Sequence, residues 1–193
     1  MNKTALSISL ALASVFINNA AWAQYCQFPP DALLDGPRRQ YTGRYENGAY
    51  RYSVIIPDRL VGYDVVNPFY QHGFGIIVGK KPYSYLSVDG SPNSLELATP
   101  LDAAKASLQF LSEKAKVMTS ESTPMQIGGL HAVFLVATYT CRGSKGPFVM
   151  GSAFVLSPKR DMVYELTLYA LADRYEGDRA VLDQIIKSWR YKR

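Results

Sequence analysis

The sequence is short of the groups on which catalysis most often rests. It carries two histidines and two cysteines in 193 residues. No Cys-x-x-Cys pair is present, so a dithiol redox centre is excluded. Two histidines with scattered carboxylates give no zinc-ligand spacing. No G-x-S-x-G elbow occurs; Arg142-Gly143-Ser144-Lys145-Gly146 has the wrong first residue. Beyond Gln24 there is no long apolar run, no internal repeat and no low-complexity tract. Charged residues make up 19% and hydrophobic residues 48% of the chain, which excludes a disordered polymer.

What is present begins with a leader. Lys3, an apolar run from Ala5 to Ile17 and Ala21-Trp22-Ala23 read as a secretory signal peptide over 1–23, cleaved near Ala23. A retained anchor is the rival reading, but the run is short for a bilayer span. Taking 23 residues from 193 leaves 170, enough for one domain with a real core. The expected location is periplasmic or secreted, with no integral membrane segment in the mature chain. In an oxidising compartment Cys26 and Cys141 are expected to form one disulfide. The net charge of +5 is spread over Arg38-Arg39, Lys80-Lys81, Lys159-Arg160 and the C-terminal basic group, not gathered in one stripe. That pattern argues against nucleic acid.

Residues 24–48, with Pro29-Pro30, Asp35-Gly36-Pro37 and Asn47-Gly48, read as an extended N-terminal arm. Residues 49–193 form one α/β domain. Strand periodicity runs through Tyr50–Ile56, Gly73–Val78, Tyr83–Val88, Leu130–Thr140, Phe148–Leu156 and Met162–Ala170. Thr99, Pro100 and Asp102 open a helix with an apolar stripe of Leu101, Ala104, Leu108, Leu111 and Ala115. A second helix spans Asp178 to Tyr191, with Leu182, Ile185, Ile186 and Trp189 on one face. The expected fold is α+β: a largely antiparallel six- or seven-stranded sheet with two packed helices.

That order is similar to the PsbP-type α/β/α sandwich, a shape shared with the Mog-type Ran-binding proteins and the bacterial DcrB family. The carrying residues are Tyr50-Arg-Tyr-Ser-Val-Ile-Ile-Pro57, Gly128-Gly129-Leu130, Val163-Tyr-Glu-Leu-Thr-Leu168 and Leu182-Asp-Gln-Ile-Ile-Lys-Ser-Trp189. The likeness runs from about Tyr50 to Lys192. The arm and the disulfide are not part of the pattern. The resemblance implies a domain that works by docking.

Glycines at 73, 75 and 79 fail both the dinucleotide and the phosphate-loop spacing and read as strand glycines. Asp89-Gly-Ser91-Pro-Asn93 places oxygen ligands at alternate positions, but lacks the glycine and glutamate of a calcium loop, so it reads as a turn. A looser calcium site would use Asp89, Asn93 and Glu96. Glu165 is read as a surface acid and His131 as a structural residue. The candidate binding residues are Tyr70, His72, Tyr83, Tyr85, Asp89, Asn93 and Glu96, where tyrosines and polar groups gather in short loops. These observations point to an exported, non-catalytic binding protein of the bacterial envelope, without cofactor or metal. It would be an adaptor, an accessory subunit or an immunity- or inhibitor-type partner of another protein. The alternative is a small-ligand-binding protein or hydrolase with a pocket near His72, Asp89 and Glu96.

A bridge across the 115 positions from Cys26 to Cys141 would stabilise the fold by up to ~4–5 kcal/mol. Denatured protein prepared without reductant is therefore expected to show no titratable thiol; two thiols per chain would sink the bridge.

Overall fold

The computed structural model describes residues 39–64, 72–144 and 146–192. Eleven strands and two helices follow in order: β1 (Gln40–Tyr41), β2 (Arg44–Asn47), β3 (Tyr52–Ile55), β4 (Gly62–Asp64), β5 (Phe74–Val78), β6 (Ser84–Pro92), α1 (Pro100–Lys114), β7 (Lys116–Ile127), β8 (Leu130–Thr140), β9 (Phe148–Leu156), β10 (Met162–Leu171), α2 (Tyr175–Ser188) and β11 (Arg190–Tyr191). Eight strands form one sheet in the order β1-β4-β5-β6-β10-β9-β8-β7, and β11-β3-β2 form a second. All recorded pairings are antiparallel. The sheet is thus wider than the six or seven strands expected, and a small second sheet accompanies it.

Two apolar clusters show where the layers meet. On one face, Ala103, Ala104 and Leu111 of α1 pack over Val133, Leu135, Met150 and Phe154. On the other, Leu182, Ile185 and Ile186 of α2 join Tyr52, Val54 and Ile56 over Phe134, Val155, Leu166 and Leu168. β9 lies between them with all nine residues buried. Such a strand cannot alternate apolar with polar, which is why Phe148–Leu156 reads as a nearly continuous apolar run.

Local chemistry sets the element ends. The Thr99 hydroxyl accepts from the Asp102 amide at 3.2 Å, and the Asp102 carboxylate accepts from the Thr99 amide at 3.0 Å, a closed capping box. The expected stripe is only partly inward: Leu111 and Ala104 are buried, whereas Leu101 is 40% exposed. Gly128 and Gly129, at φ +57° and +82°, supply the left-handed pair that a two-residue turn between β7 and β8 requires. At the other helix, Arg174 binds the Lys80 and Pro82 carbonyls, and the Ser84 hydroxyl donates to Asp178 at 2.6 Å. These contacts fasten the start of α2 to the β5–β6 turn.

Several expectations need correction. The helix expected from Asp178 starts at Tyr175 and stops at Ser188, because Arg190–Tyr191 leaves it to pair with β3. Asp89–Pro92 is not a turn; it continues β6 opposite Met162–Glu165. Gly90 permits this, since a Cβ there would lie 3.0 Å from the Tyr164 ring. Lys116–Ile127 is a twelve-residue edge strand. Its polar run and Pro124 hide it from periodicity, and both suit an edge. β1 and β2 lie in the segment expected to be an extended arm. His131 sits exposed at the start of β8 and takes no part in the core. Residues 1–38, including the leader and Cys26, lie outside the described residues.

Trp189 is 0% exposed and meets Tyr164 at 5.1 Å between ring centroids, with Tyr52 behind at 5.7 Å from Tyr164. Its indole Nε1 is buried without a hydrogen-bond partner. Trp189→Ala is expected to lower unfolding free energy by about 3–5 kcal/mol. Trp189→Phe removes that orphan donor and is expected to cost less than half as much. Urea unfolding of both variants checks the pair; equal losses would overturn this account of Trp189.

Candidate functional site

One cluster of polar groups in the large sheet lies on the α1 side. Register places Asp89 of β6 directly opposite Glu165 of β10, and Glu165 opposite Phe154 of β9. Residues opposite each other in an antiparallel pair share a face, so the two carboxylates stand side by side. Glu165 is not the surface acid expected. Its Oε1 accepts from Thr167 at 2.8 Å and from Ser152 at 3.1 Å, and those two hydroxyls lie 2.5 Å apart. Ser152 and Thr167 are both 0% exposed. Two hydroxyl hydrogens therefore serve three contacts, two to one carboxylate oxygen and one between the hydroxyls themselves.

Burial raises the Glu165 pKa, and the neighbouring Asp89 charge adds to the rise. Burial also raises Asp89, to about 6, against the opposing effect of the Gly90 amide. No lysine or arginine of the described residues pairs with either acid. Around neutral pH the fold therefore holds a pair of acids with no internal counter-charge.

Above Glu165 a cavity of about 290 Å³ opens between α1 and the β6–α1 loop. Ala103, Ala106, Ser107 and Phe110, at helical spacing, form one wall. Ser91 to Leu95 and Leu97 supply the other, and Phe154, Val163 and Glu165 the floor. Leu95 and Phe110 at the rim are 71% and 45% exposed.

The candidate residues fall into different places. Asp89 belongs to the acid pair. Tyr85 is buried on the same face and stacks on Tyr169 at 6.4 Å. Asn93 lines the cavity but also holds the loop: its side chain bonds the Leu97 amide and the Leu97 and Arg160 carbonyls. Glu96 is exposed at φ +52° on that loop. Tyr83 precedes β6 beside the turn that Arg174 fastens. His72 packs its ring on Tyr50 at 4.3 Å, while its carbonyl accepts from Asn47 and Tyr52, so it belongs with the small sheet. Tyr70 lies outside the described residues. No hydrogen bond or ion pair among the described residues joins His72, Asp89 and Glu96. Among the described residues no three histidine, cysteine, aspartate or glutamate side chains form a group that could hold a metal ion. Sequence reasoning missed Ser107, Phe110 and Phe154. Phe110 carried one available signal, a large apolar residue off the buried stripe of α1.

No protein-family model matches the chain, and no curated protein sequence does. Solved structures do. The solution structure of cyanobacterial PsbP from Synechocystis sp. PCC 6803 superposes with a TM-score of 0.54 at 15% identity, over 81% of this chain and 94% of that one. The crystal structure of the Saccharomyces cerevisiae Ran-binding protein Mog1p gives 0.51 at 8% identity, over 81% and 96%. A point mutant of Mog1 gives 0.53 at 9%, over 81% and 96%. The chain has a PsbP- and Mog-like α+β fold, as the four sequence segments implied.

An acid whose pKa is raised by folding binds its proton more tightly in the native state. The stability it adds is complete below the unfolded pKa, near 4, and is lost as pH rises through about 6. Asp89→Asn is therefore expected to be more stable than the parent at pH 7.5, by about 1–2 kcal/mol. The difference should vanish by pH 4. Thermal unfolding of both proteins across that range checks it; a gap that widens in acid would refute the burial account.

Proposed function

We propose that this chain is an exported, non-catalytic binding protein of the bacterial envelope that docks onto a partner protein. The observation that carries this reading is the cavity under α1, with Leu95 and Phe110 exposed at its rim and Glu165 at its floor. Exposed apolar groups around a concavity suit recognition. The rim and walls come from one helix and one loop pinned by Asn93, so the surface is already shaped before a partner arrives. The fold also serves a protein named for binding Ran, which makes docking a precedent for this architecture.

Export is supported by the leader-like sequence over 1–23 and by the oxidising chemistry expected of Cys26 and Cys141. Cys141 ends up buried just after β8. Among the described residues no helix is long and apolar enough to cross a membrane. The domain organisation that fits is a leader, an arm reaching β1 and β2, and one α/β body.

Envelope extracts passed over the immobilised mature protein are expected to yield one partner, lost with Leu95→Glu or Phe110→Glu while circular dichroism stays unchanged. Capture that survives both variants would move the docking face elsewhere. Turnover of ester, phosphate or peptidoglycan substrates abolished by His72→Ala would replace the reading with an enzyme.

A further inference from the structure

We propose that the cavity under α1 receives the side chain of a lysine from the partner protein, its ammonium meeting Glu165 and its methylene stem lying along Phe110 and Phe154. This rests on the docking reading and says what that docking recognises.

The floor supplies the charge. Glu165 lines the cavity; its Oε1 is taken by Ser152 and Thr167, while Oε2 accepts no hydrogen bond from the described residues. Asp89 beside it adds negative charge, and no cation of the described residues offsets the pair. A half-buried carboxylate without a counter-charge carries part of its desolvation cost uncompensated, and an incoming cation relieves it. The chain as a whole carries a net charge of +5, so this acidic floor inverts the sign of its surroundings and selects against anions.

The walls supply the shape. Ala103, Ala106 and Phe110 of α1 face Phe154, an apolar slot suited to an alkyl stem with the charge at its far end. At about 290 Å³ the slot lies at the lower limit of cavities for whole small molecules, roughly 300–1,000 Å³. One side chain fits that scale.

The choice of lysine over arginine follows from the single open oxygen. A guanidinium binds carboxylates best through two parallel bonds to both oxygens. Oε1 already receives two hydroxyls, so the fork has only one oxygen to grip. A compact ammonium needs one, and Ser107 on the wall offers a further acceptor. The source is a protein because the exposed rim at Leu95 extends the apolar surface past the slot, where residues flanking a lysine would lie.

The test uses the mature protein and amide NMR titration at Ala103, Ala106 and Ser107. The probes are acetyl-Leu-Lys-Leu-amide, its norleucine and arginine counterparts, and n-butylammonium. The lysine peptide is expected to bind at least tenfold more tightly than each of the other three. Glu165→Gln should weaken it at least tenfold with the fold intact, and Ala106→Leu, which fills the slot without touching charge, should do the same. Equal binding of the norleucine or arginine peptide, or an unaffected Glu165→Gln, overturns the proposal. So does n-butylammonium matching the peptide, which would make a free amine the occupant. Capture of the envelope partner separates this from the broader reading. Loss with Leu95→Glu but not with Glu165→Gln would refute the lysine and leave docking standing. Retention with both would refute both.

Discussion

Everything in this fold follows from one constraint: β9 must be dry on both faces. Its nine residues from Phe148 to Leu156 are all buried. A sheet with an interior strand that has no solvated side needs a full layer above and below it. α1 provides part of one layer. α2 together with the β11-β3-β2 sheet provides the other, and Trp189 is its keystone, wedged against Tyr164 with no exposed surface. The small sheet exists because one helix cannot cover eight strands. β11 is the turn-back that lets the chain finish that cover after α2 ends.

Placing polar groups inside such a sandwich is costly unless they satisfy one another. Ser152 and Thr167 manage this within the sheet, on neighbouring strands and directly opposite in register. Glu165 collects their hydrogen bonds, yet remains a carboxylate beside a second carboxylate. Hydrophobic residues at 89 and 165 would seal this part of the core more securely. The two acids are instead only half-buried, Glu165 lining the cavity beside α1 and Asp89 opposite it in register. That partial exposure limits the desolvation cost and gives the charge an outlet.

How far this was legible in the sequence depended on whether the signal was local. The α1 cap could be read directly, because Thr99, Pro100 and Asp102 act within one turn. β8, β9 and β10 could be read because they are long and apolar or alternating. β7 could not, since an edge strand with one exposed run of serine, threonine and proline carries no periodicity. Asp89–Pro92 spells a turn in isolation and becomes strand only because β10 pairs along it. Glu165 failed for the same reason. Glu165 and Thr167 on one face look solvated, and only the distant α1 and the opposite Ser152 make that face interior. Of the candidate residues, Asp89 stands opposite Glu165 in register and Asn93 lines the cavity. The cavity itself joins α1 to β9 and β10, a juxtaposition that no window of sequence contains.

The shortage of catalytic groups and the surplus of positive charge now bear on each other. A chain of net charge +5 repels basic partners at long range, so the proposed ammonium would reach Glu165 only after apolar contact at the rim had brought it close. Screening over roughly 8 Å at physiological salt weakens that repulsion, whereas the half-buried carboxylates are screened less. Long-range charge then contributes little to encounter, and the acid pair acts after contact, as a check on what has entered. A site built this way would discriminate through dissociation more than association. In such docking the apolar rim would make the first contact, and the two poorly compensated acids would decide whether the contact lasts.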